Sequence, residues 1–293
     1  MAVAEKFNEN EVNEALQNAE NALDAEVAEA AEVAEAAEVA ESSENEATPE
    51  ATEEKKLPEG IGETLVTVDH VTREFRRKEQ LIVAVNDVSM EIKRGSFVIL
   101  CGKSGSGKTT LLNLIAAIDM PTSGSVSFEG KDYGSLNEKG RDNLRRVNMG
   151  IVFQNTALMS NMSAIENVEF ALSIAGIRSE KRRKSSITWL EKMGIRDRRN
   201  HMPAEMSGGE QARTAIGRAL AHSPKLLLAD EPTAELDTRT SFEVVKMFRS
   251  LVDEEGLTII MTTHDVNIMG VADIIYTLED GRVVDVRENK KSG

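Results

Sequence analysis

Cysteine is almost missing from this chain, because Cys101 is the only one in 293 residues. A single thiol excludes an intrachain disulfide and favours a reducing compartment. Cys101 ends an apolar run, and we interpret it as a small buried side chain. Long apolar runs are also lacking. No stretch approaches the ~18 apolar residues of a membrane-spanning helix, and the N-terminus has no apolar signal segment. We therefore expect a cytosolic chain.

Basic residues are scarce near the N-terminus. Residues 1–54 contain 17 Asp and Glu but only one Lys, whereas the rest of the chain holds 33 acidic and 34 basic side chains. The net charge of −15 therefore describes the N-terminal segment and says little about the remainder. Because the remainder has no basic excess, the composition does not indicate nucleic acid as a partner.

The N-terminal segment also lacks an apolar stripe. Residues 25–41 repeat Ala-Glu-Val-Ala-Glu-Ala, with Glu at every third position. On a helix this spacing spirals around the axis, and the glutamates repel one another without any Lys to offset them. We predict that residues 1–57 are an acidic, low-complexity, largely disordered tail before a domain over 58–293. A docking arm for a basic partner surface is the alternative. Turn signals at Thr48-Pro49 and Leu57–Gly60 mark the change.

From about residue 64 onward, short β-branched and apolar runs alternate with helical patterns. Such alternation is typical of an α/β domain with a largely parallel sheet that is covered on both faces. The predicted strands are Thr64–Val68, Ile82–Val85, Phe97–Leu100, Gly150–Phe153, Lys225–Ala229, Leu257–Met261 and Ile274–Leu278. Between residues 155 and 203 the strand signal disappears, and helical periodicity appears at 164–175 and 181–193. We interpret this region as an inserted helical subdomain over about 155–215.

The spacing G-x-x-x-x-G-K-[ST] occurs at Gly102–Thr109, between an apolar strand pattern and a helical pattern. Glycines let successive backbone N–H groups turn into one concavity around a triphosphate, and the helix N-terminus that follows favours anions. Lys108 adds a mobile positive charge, and Thr109 supplies a hydroxyl to the magnesium that bridges the phosphates. The predicted nucleotide-binding residues are Gly102, Lys103, Ser104, Gly105, Ser106, Gly107, Lys108, Thr109 and Thr110.

Two carboxylates follow a buried apolar run at Leu226–Glu231. Asp230, at the end of the predicted strand, is suited to hold magnesium, usually through water. Glu231 comes one residue later, where it could accept a proton from an attacking water. Together with the phosphate loop, the pair predicts nucleotide hydrolysis.

A second glycine-rich segment, Met206–Gln211, precedes a helical pattern that extends to Ala221. Ser207 is predicted as the N-cap of this helix, and Gly208 and Gly209 leave backbone N–H groups open to an anion. A plain helix cap after a flexible turn is the alternative, although a cap alone does not require Ser-Gly-Gly-Glu-Gln.

With these motifs in this order, residues 64–288 resemble the ATP-binding subunit of ABC transporters. The resemblance implies a P-loop NTPase cassette with a mostly parallel core sheet, an antiparallel β subdomain and an inserted helical subdomain. It implies that Ser207–Gly209 closes over ATP held by the phosphate loop of a second cassette. Four further roles follow from it: magnesium and water sensing by Gln154, a D-loop ending at Asp237, γ-phosphate contact by His264, and adenine stacking by Phe75.

The resemblance further implies an ATPase with Mg²⁺ as cofactor, in which two cassettes, most simply a homodimer, close around ATP. A separate integral membrane permease subunit would receive the movement, with residues 155–170 forming much of the groove for its coupling helix. The chain would then lie on the inner face of the cell membrane. Several stretches are similar to the lipoprotein-releasing and macrolide-export group, among them Pro121–Gly124, His201–Glu205 and Leu228–Thr233.

Two alternatives remain open at this point. A mechanotransmission or scaffold ATPase of a cell-division-type membrane complex would have much the same sequence and would move no solute. A soluble ABC protein of DNA repair or translation is disfavoured by the lack of long coiled coils, zinc cysteines or a second cassette.

Departures from the family pattern are few, namely Met206 for leucine, Phe75 for tyrosine, Thr214 for valine and Gly217 for alanine. We expect Gly217 to cost its helix up to ~1 kcal/mol.

Overall fold

The computed structural model describes residues 62–77 and 80–289. The predicted acidic tail over 1–57, its repeat and the turn signals before residue 61 lie outside the described residues. All statements below concern the described part, which carries the sequence motifs introduced above.

The described chain contains ten strands and six α-helices. The strands are β1 Thr64–Arg77, β2 Gln80–Lys93, β3 Phe97–Cys101, β4 Ser123–Phe128, β5 Lys131–Asp132, β6 Met149–Val152, β7 Leu226–Asp230, β8 Thr258–Thr263, β9 Ile274–Glu279 and β10 Arg282–Glu288. The helices are α1 Lys108–Ile115, α2 Glu138–Asn148, α3 Ala164–Ile174, α4 Ser179–Lys192, α5 Gly208–Leu220 and α6 Thr238–Glu255. Four short 3₁₀ helices cover Tyr133–Ser135, Arg196–Arg198, Pro203–Glu205 and Val266–Val271.

The strands form two sheets. One is antiparallel, with the order β2-β1-β4-β5. The other has the order β10-β9-β3-β8-β7-β6, in which all pairs are parallel except the edge pair β9–β10. The mostly parallel sheet and the separate antiparallel sheet confirm the predicted α/β fold class.

Side chains on the two faces of β3 belong to two different hydrophobic clusters of the core. Its five residues are all buried, so the strand is covered on both faces. Phe97, Ile99 and Cys101 contribute to a cluster with residues of α3, α5 and α6, whereas Val98 and Leu100 pack with α1 and the antiparallel sheet. Cys101 is therefore a buried side chain, as predicted.

Helices alone occupy the described chain between β6 and β7, apart from loops. Helices α3 and α4 agree with the predicted ranges to within two residues. A capping box begins α3, in which Glu166 accepts from Ser163 N at 2.8 Å. The limits 155–215 of a helical subdomain and the boundary at residue 58 stay predictions.

The sequence pattern was wrong about the extent of the antiparallel sheet. The predicted strand Thr64–Val68 runs on to residue 77, and Ile82–Val85 is the middle of a strand of 14 residues. Beyond Val71, β1 carries polar and charged residues such as the half-buried Arg73 and Glu74, so this part of the strand lacks the apolar run on which the prediction depended. Strands β4, β5 and β10 and helix α2 were not predicted, and α2 has no buried residue.

Candidate functional site

The carboxyl ends of four neighbouring parallel strands bring the polar motifs together. In the register, Cys101 of β3 lies opposite Thr263, Asp230 of β7 lies opposite Thr262, and Val152 of β6 lies opposite Ala229. The residues that follow these strands therefore meet at one edge of the sheet, where open α/β sheets bind ligands. They are the phosphate loop Gly102–Gly107, His264, Glu231 and Gln154.

The phosphate loop is fixed by close backbone contacts. Gly102 and Gly107 have φ angles of 142° and 100°, which only glycine adopts without strain. A Cβ atom on Gly102 would lie 2.2 Å from Leu278 O, and one on Gly107 would lie 2.3 Å from Ala84 O. The loop thus sits against β9 on one side and β2 on the other. No side chain other than hydrogen fits at either position.

Lys108 is the first residue of α1 and is only 5% exposed. Its Nζ donates to Gly102 O at 2.8 Å and to Lys103 O at 3.1 Å, which holds the ammonium group across the loop. The same Nζ lies 3.9 Å from Glu231 Oε1. A positive charge is therefore fixed between the loop and the carboxylate of Glu231, which follows β7.

The loop fits a polyphosphate on two observations. The hydroxyl oxygen of Ser106 is buried and has no hydrogen-bond partner, which is costly unless a ligand supplies one. In addition, the first N–H groups of α1 have no intrahelical acceptors, and they open at the end of the loop. An orphan hydroxyl and unpaired N–H groups in one concavity suit anionic oxygens.

Magnesium fits the oxygen atoms beside the loop. Thr109 Oγ1 donates to Asp230 Oδ1 at 3.1 Å, so a hydroxyl and a carboxylate adjoin at the start of α1. Both are ligand types that Mg²⁺ prefers, and Mg²⁺ commonly completes its shell with phosphate and water. Within residues 62–77 and 80–289, no cluster of three or more His, Cys, Asp or Glu side chains could hold a metal ion alone.

Glu231 has a left-handed backbone conformation, with φ of 44°. Such a conformation is uncommon for a residue other than glycine and often marks a functional position. It turns the chain out of β7 directly after Asp230. Glu231 Oε2 then lies 3.4 Å from His264 Nδ1. The Glu231 side chain is 20% exposed, and the imidazole is 66% exposed.

Phe75 and Gln154 flank this cluster. Phe75 of β1 lies opposite Ile82 on β2, two residues before Ala84, whose carbonyl contacts the phosphate loop. Its ring is 39% exposed, and the guanidinium carbon of Arg73 lies 4.5 Å from the ring centroid. Gln154 is exposed two residues after β6, next to β7 in the sheet.

The second glycine-rich segment, Ser207–Gly209, lies elsewhere. Ser207 caps α5 as predicted, because Glu210 N donates to its hydroxyl at 3.3 Å while Glu210 Oε2 accepts from Ser207 N at 2.8 Å. A Cβ atom on Gly209 would lie 2.9 Å from Thr240 Cγ2 of α6. In the described chain, no hydrogen bond links this segment to the phosphate loop.

Asp237 belongs with this second group. It is the N-cap of α6, where Oδ1 accepts from Thr240 N at 3.0 Å and Oδ2 accepts from Thr240 Oγ1 at 2.6 Å. The hydroxyl bond from Thr240, followed by the backbone bond, holds the pKa of Asp237 below its usual value. The predicted site residues thus form two groups on one chain, the first around the phosphate loop and the second at the starts of α5 and α6.

Two polar residues at the site were missed by the sequence reasoning. Thr262 bonds both Asp230 and the backbone of Glu231, and its only sequence signal is a hydroxyl in the apolar run of β8. Arg218 of α5 donates to Thr156 O at 2.9 Å and to Ala157 O at 2.6 Å, just after Gln154. Burial lowers the pKa of Arg218. No spacing rule indicates either partner.

An apolar groove of about 550 Å³ lies beside the Gln154 loop. Exposed apolar side chains of the loop and of α3 line it, namely Phe153, Met159, Phe170 and Ile174. Asp142, Arg145 and Arg146 of α2 stand at its border, where Arg145 pairs with Asp142. Apolar groups gathered in a concave surface with a polar border are typical of a site for another protein segment.

Comparison with known proteins places the chain among ATP-binding cassettes. The family model described as ABC transporter matches residues 85–234. An ABC transporter ATP-binding protein of Methanocaldococcus jannaschii is 38% identical over 222 residues, which are 76% of this chain and 99% of that protein.

Two longer relatives are similar over the same region. ABC transporter H family member 2 of Dictyostelium discoideum is 39% identical, and a macrolide export ATP-binding/permease protein of Syntrophobacter fumaroxidans is 41% identical. The matches cover 78% and 74% of this chain but only 46% and 31% of those proteins. The chain therefore spans less than half the length of these relatives.

A solved structure of the ATP-binding cassette MJ0796, dimeric and bound to ADP and Pi in a post-hydrolysis state, has a TM-score of 0.73. It is 36% identical, and the match covers 77% of this chain and 99% of that one. None of the helices in the described residues is both long and apolar enough to traverse a bilayer.

Proposed function

This chain belongs to the ABC transporter family as an ATP-binding cassette, and we propose that it hydrolyses ATP to drive a separate membrane subunit through closure of a cassette dimer. The observation that carries the proposal is the meeting of Lys108, Asp230, Glu231 and His264 at one edge of the parallel sheet. A phosphate-binding loop, an oxygen pair suited to Mg²⁺ and a residue that orients the attacking water are the parts that phosphoryl transfer to water uses. The imidazole of His264 adds a polar group beside them.

Each group has a distinct task in hydrolysis. The ammonium group of Lys108 stabilises negative charge on the phosphate oxygens, which it can reach by exchanging its bonds to the loop carbonyls. Glu231 orients the attacking water and accepts its proton, since its carboxylate stands beyond the end of β7. His264 contacts the γ-phosphate from the next strand. Thr109 and Asp230, with Gln154 as a further candidate ligand, would hold Mg²⁺, which would neutralise charge on the phosphates.

Closure of a dimer explains why the site residues form two groups. Ser207–Gly209 and Asp237 lie apart from the phosphate loop of their own chain, yet Gly208 and Gly209 present N–H groups at a helix start that suit phosphate oxygens. A second copy in head-to-tail arrangement would bring its segment over the first copy's loop. The dimeric structure of the similar cassette MJ0796 supports two copies as the working unit.

The apolar groove supports a membrane partner. Its lining of Phe153, Met159, Phe170 and Ile174 leaves apolar area in water, which a partner helix would cover. Arg218 connects α5 to the loop after Gln154, so closure over ATP can be transmitted towards this surface. The macrolide-export relative combines ATP-binding and permease in its name, which supports a permease as the partner. The cassette would then lie on the cytoplasmic side of the membrane. We propose export or extraction as the mode of transport that this cassette drives.

Phosphate release from ATP by the full chain tests the proposal. We expect turnover in the presence of Mg²⁺ and none after chelation with EDTA. A parallel preparation of Glu231→Gln controls for contaminating ATPases, since a contaminant would be equally active in both. The proposal fails if wild-type protein releases no more phosphate than this variant, with or without its co-purified membrane subunit.

A further inference from the structure

Thr262 carries a buried hydroxyl group beside Asp230 and Glu231, the two carboxylate residues of the site. It lies near the carboxyl end of β8, directly opposite Asp230 in the register of β7 and β8. The residue is 0% exposed, and the residues before it in the strand, Ile259–Met261, are fully buried and apolar. An apolar side chain would satisfy this strand as well as threonine does, so packing alone does not explain the hydroxyl.

The hydroxyl makes hydrogen bonds to two consecutive residues, Asp230 at the end of β7 and Glu231 directly after it. Thr262 Oγ1 donates to Asp230 Oδ1 at 2.7 Å and accepts from Glu231 N at 2.8 Å. A threonine hydroxyl has one proton to donate and free lone pairs, so this polarity uses both capacities. The same Asp230 oxygen accepts from Thr109 Oγ1. A continuous chain of bonds therefore runs from the Glu231 backbone to the phosphate loop.

The bond to the Glu231 backbone also stabilises an unusual conformation. Glu231 has φ of 44°, a strained conformation for a residue with a side chain, which persists only where its surroundings fix it. Its N–H has left the strand ladder and finds an acceptor in Thr262 instead. Without that acceptor, a half-buried N–H would be unpaired, and the peptide could rotate towards water.

We propose that Thr262 is a positioning residue for ATP hydrolysis: its hydroxyl fixes the orientation of Asp230 towards magnesium and of Glu231 towards the attacking water. The inference rests on the function proposed above, because it assumes that these two carboxylates hold the metal and serve as the base. Thr262 is fully buried, and its hydroxyl bonds Asp230 and the backbone of Glu231. It acts by keeping two consecutive side chains in one fixed relation, which catalysis needs to within a fraction of an ångström.

Thr262→Val tests the proposal, because valine keeps the shape and removes the hydroxyl. We expect kcat to fall by about tenfold to a hundredfold while KM for ATP changes less than about threefold, since the lost bonds act on the reacting geometry. The Mg²⁺ concentration for half-maximal binding of a fluorescent ATP analogue should rise. In nucleotide-free protein, the Glu231 amide should exchange its proton at least about ten times faster.

Two further variants separate positioning from general stability. Thr258→Val removes another fully buried hydroxyl from the same strand, one that accepts from Gly95 N at 3.0 Å at the far end of β8. It should keep kcat within about twofold, even where it lowers the melting temperature. Thr262→Ser restores a hydroxyl and should recover both the rate and the slow exchange of the Glu231 amide.

Three results would overturn the inference: an unchanged kcat with unchanged Glu231 exchange in Thr262→Val, an equal loss of rate in Thr258→Val, or no rescue by serine. The measurements also distinguish this failure from a failure of the proposed function. If Glu231→Gln hydrolysed ATP at the normal rate, the assignment of the base would be wrong whatever Thr262 does. If Glu231→Gln is inactive and Thr262→Val is not, only the role of Thr262 is refuted.

Discussion

Glu231 Oε2 lies 3.4 Å from His264 Nδ1, across the boundary between β7 and β8. The other carboxylate oxygen faces Lys108 Nζ at 3.9 Å, so a base, an imidazole and a cation are arranged around one carboxyl group. These side chains come from residues 108, 231 and 264, which only the parallel order of β3, β8 and β7 brings together. The predictions below follow from this arrangement and from the separation of Ser207–Gly209 from it.

Lys108→Ala should weaken ATP binding. The variant loses a charge-assisted interaction with the phosphate oxygens that contributes about 1.5–3 kcal/mol in total, so the dissociation constant should rise by about tenfold to a hundredfold. Titration with a fluorescent ATP analogue measures this directly. Lys131→Ala, at an exposed position on β5, serves as the control and should bind normally. An unchanged dissociation constant in Lys108→Ala would disprove the assignment of the site.

Gly107→Ala should destroy the phosphate loop. A Cβ atom there would meet Ala84 O at 2.3 Å, in addition to the strain of φ at 100°. Gly130→Ala is the matched control, because it has φ of 72° but no atom within 4 Å of the new Cβ. The control should cost about 1 kcal/mol of unfolding free energy. Gly107→Ala should lose ATP binding altogether, and retained affinity would contradict the close contact.

Much of this arrangement was predictable from the sequence, and the reasons are specific. The phosphate loop, Asp230 and Glu231 follow runs of four or five buried apolar residues, which parallel strands require, so their elements and common edge could be inferred. The hairpin of β1 and β2 extends beyond its apolar part because backbone hydrogen bonds continue the pairing through Arg73 and Glu74. Hydrophobic periodicity in the sequence does not reveal such pairing. The contacts of Thr262 and Arg218 depend on side-chain direction in the finished fold.

Glu210→Gln should change the pH dependence of stability. The pKa of Glu210 lies below its ordinary value of 4.5, chiefly because Ser207 N–H donates to the carboxylate. Partial desolvation raises the pKa, but hydrogen bonds from Ser207 Oγ and Arg198 lower it further. A carboxyl with a lowered pKa stabilises the folded state above its unfolded pKa and loses that contribution as pH falls through the folded value.

Urea unfolding of Glu210→Gln and of wild type between pH 7 and about pH 3 measures this effect. Wild type should be the more stable protein at pH 6–7, and the difference should vanish towards the acidic end. A difference that stays constant over this range would show that the charge of Glu210 contributes nothing.

Phe170→Glu should uncouple the cassette from its membrane subunit. Phe170 is 38% exposed and lines the apolar groove, so a carboxylate there would oppose burial by a partner helix. We expect co-purification with the co-expressed permease to be lost while the isolated cassette hydrolyses ATP normally. Val284→Glu, at an apolar position on β10 that is 54% exposed and lies outside the groove, should retain the permease. If both variants co-purified equally well with the permease, the groove would not be the permease-binding site.

Glu231→Gln tests the central claim most directly, through the mass of the protein with Mg²⁺ and ATP. Removing the base should slow hydrolysis by about 10²–10⁴-fold while ATP binding persists, so two copies remain closed around uncleaved nucleotide. Light scattering after size-exclusion chromatography should report a dimer with ATP and a monomer without it. A variant that binds ATP yet stays monomeric at every nucleotide concentration, even with its membrane subunit supplied, would contradict dimer closure.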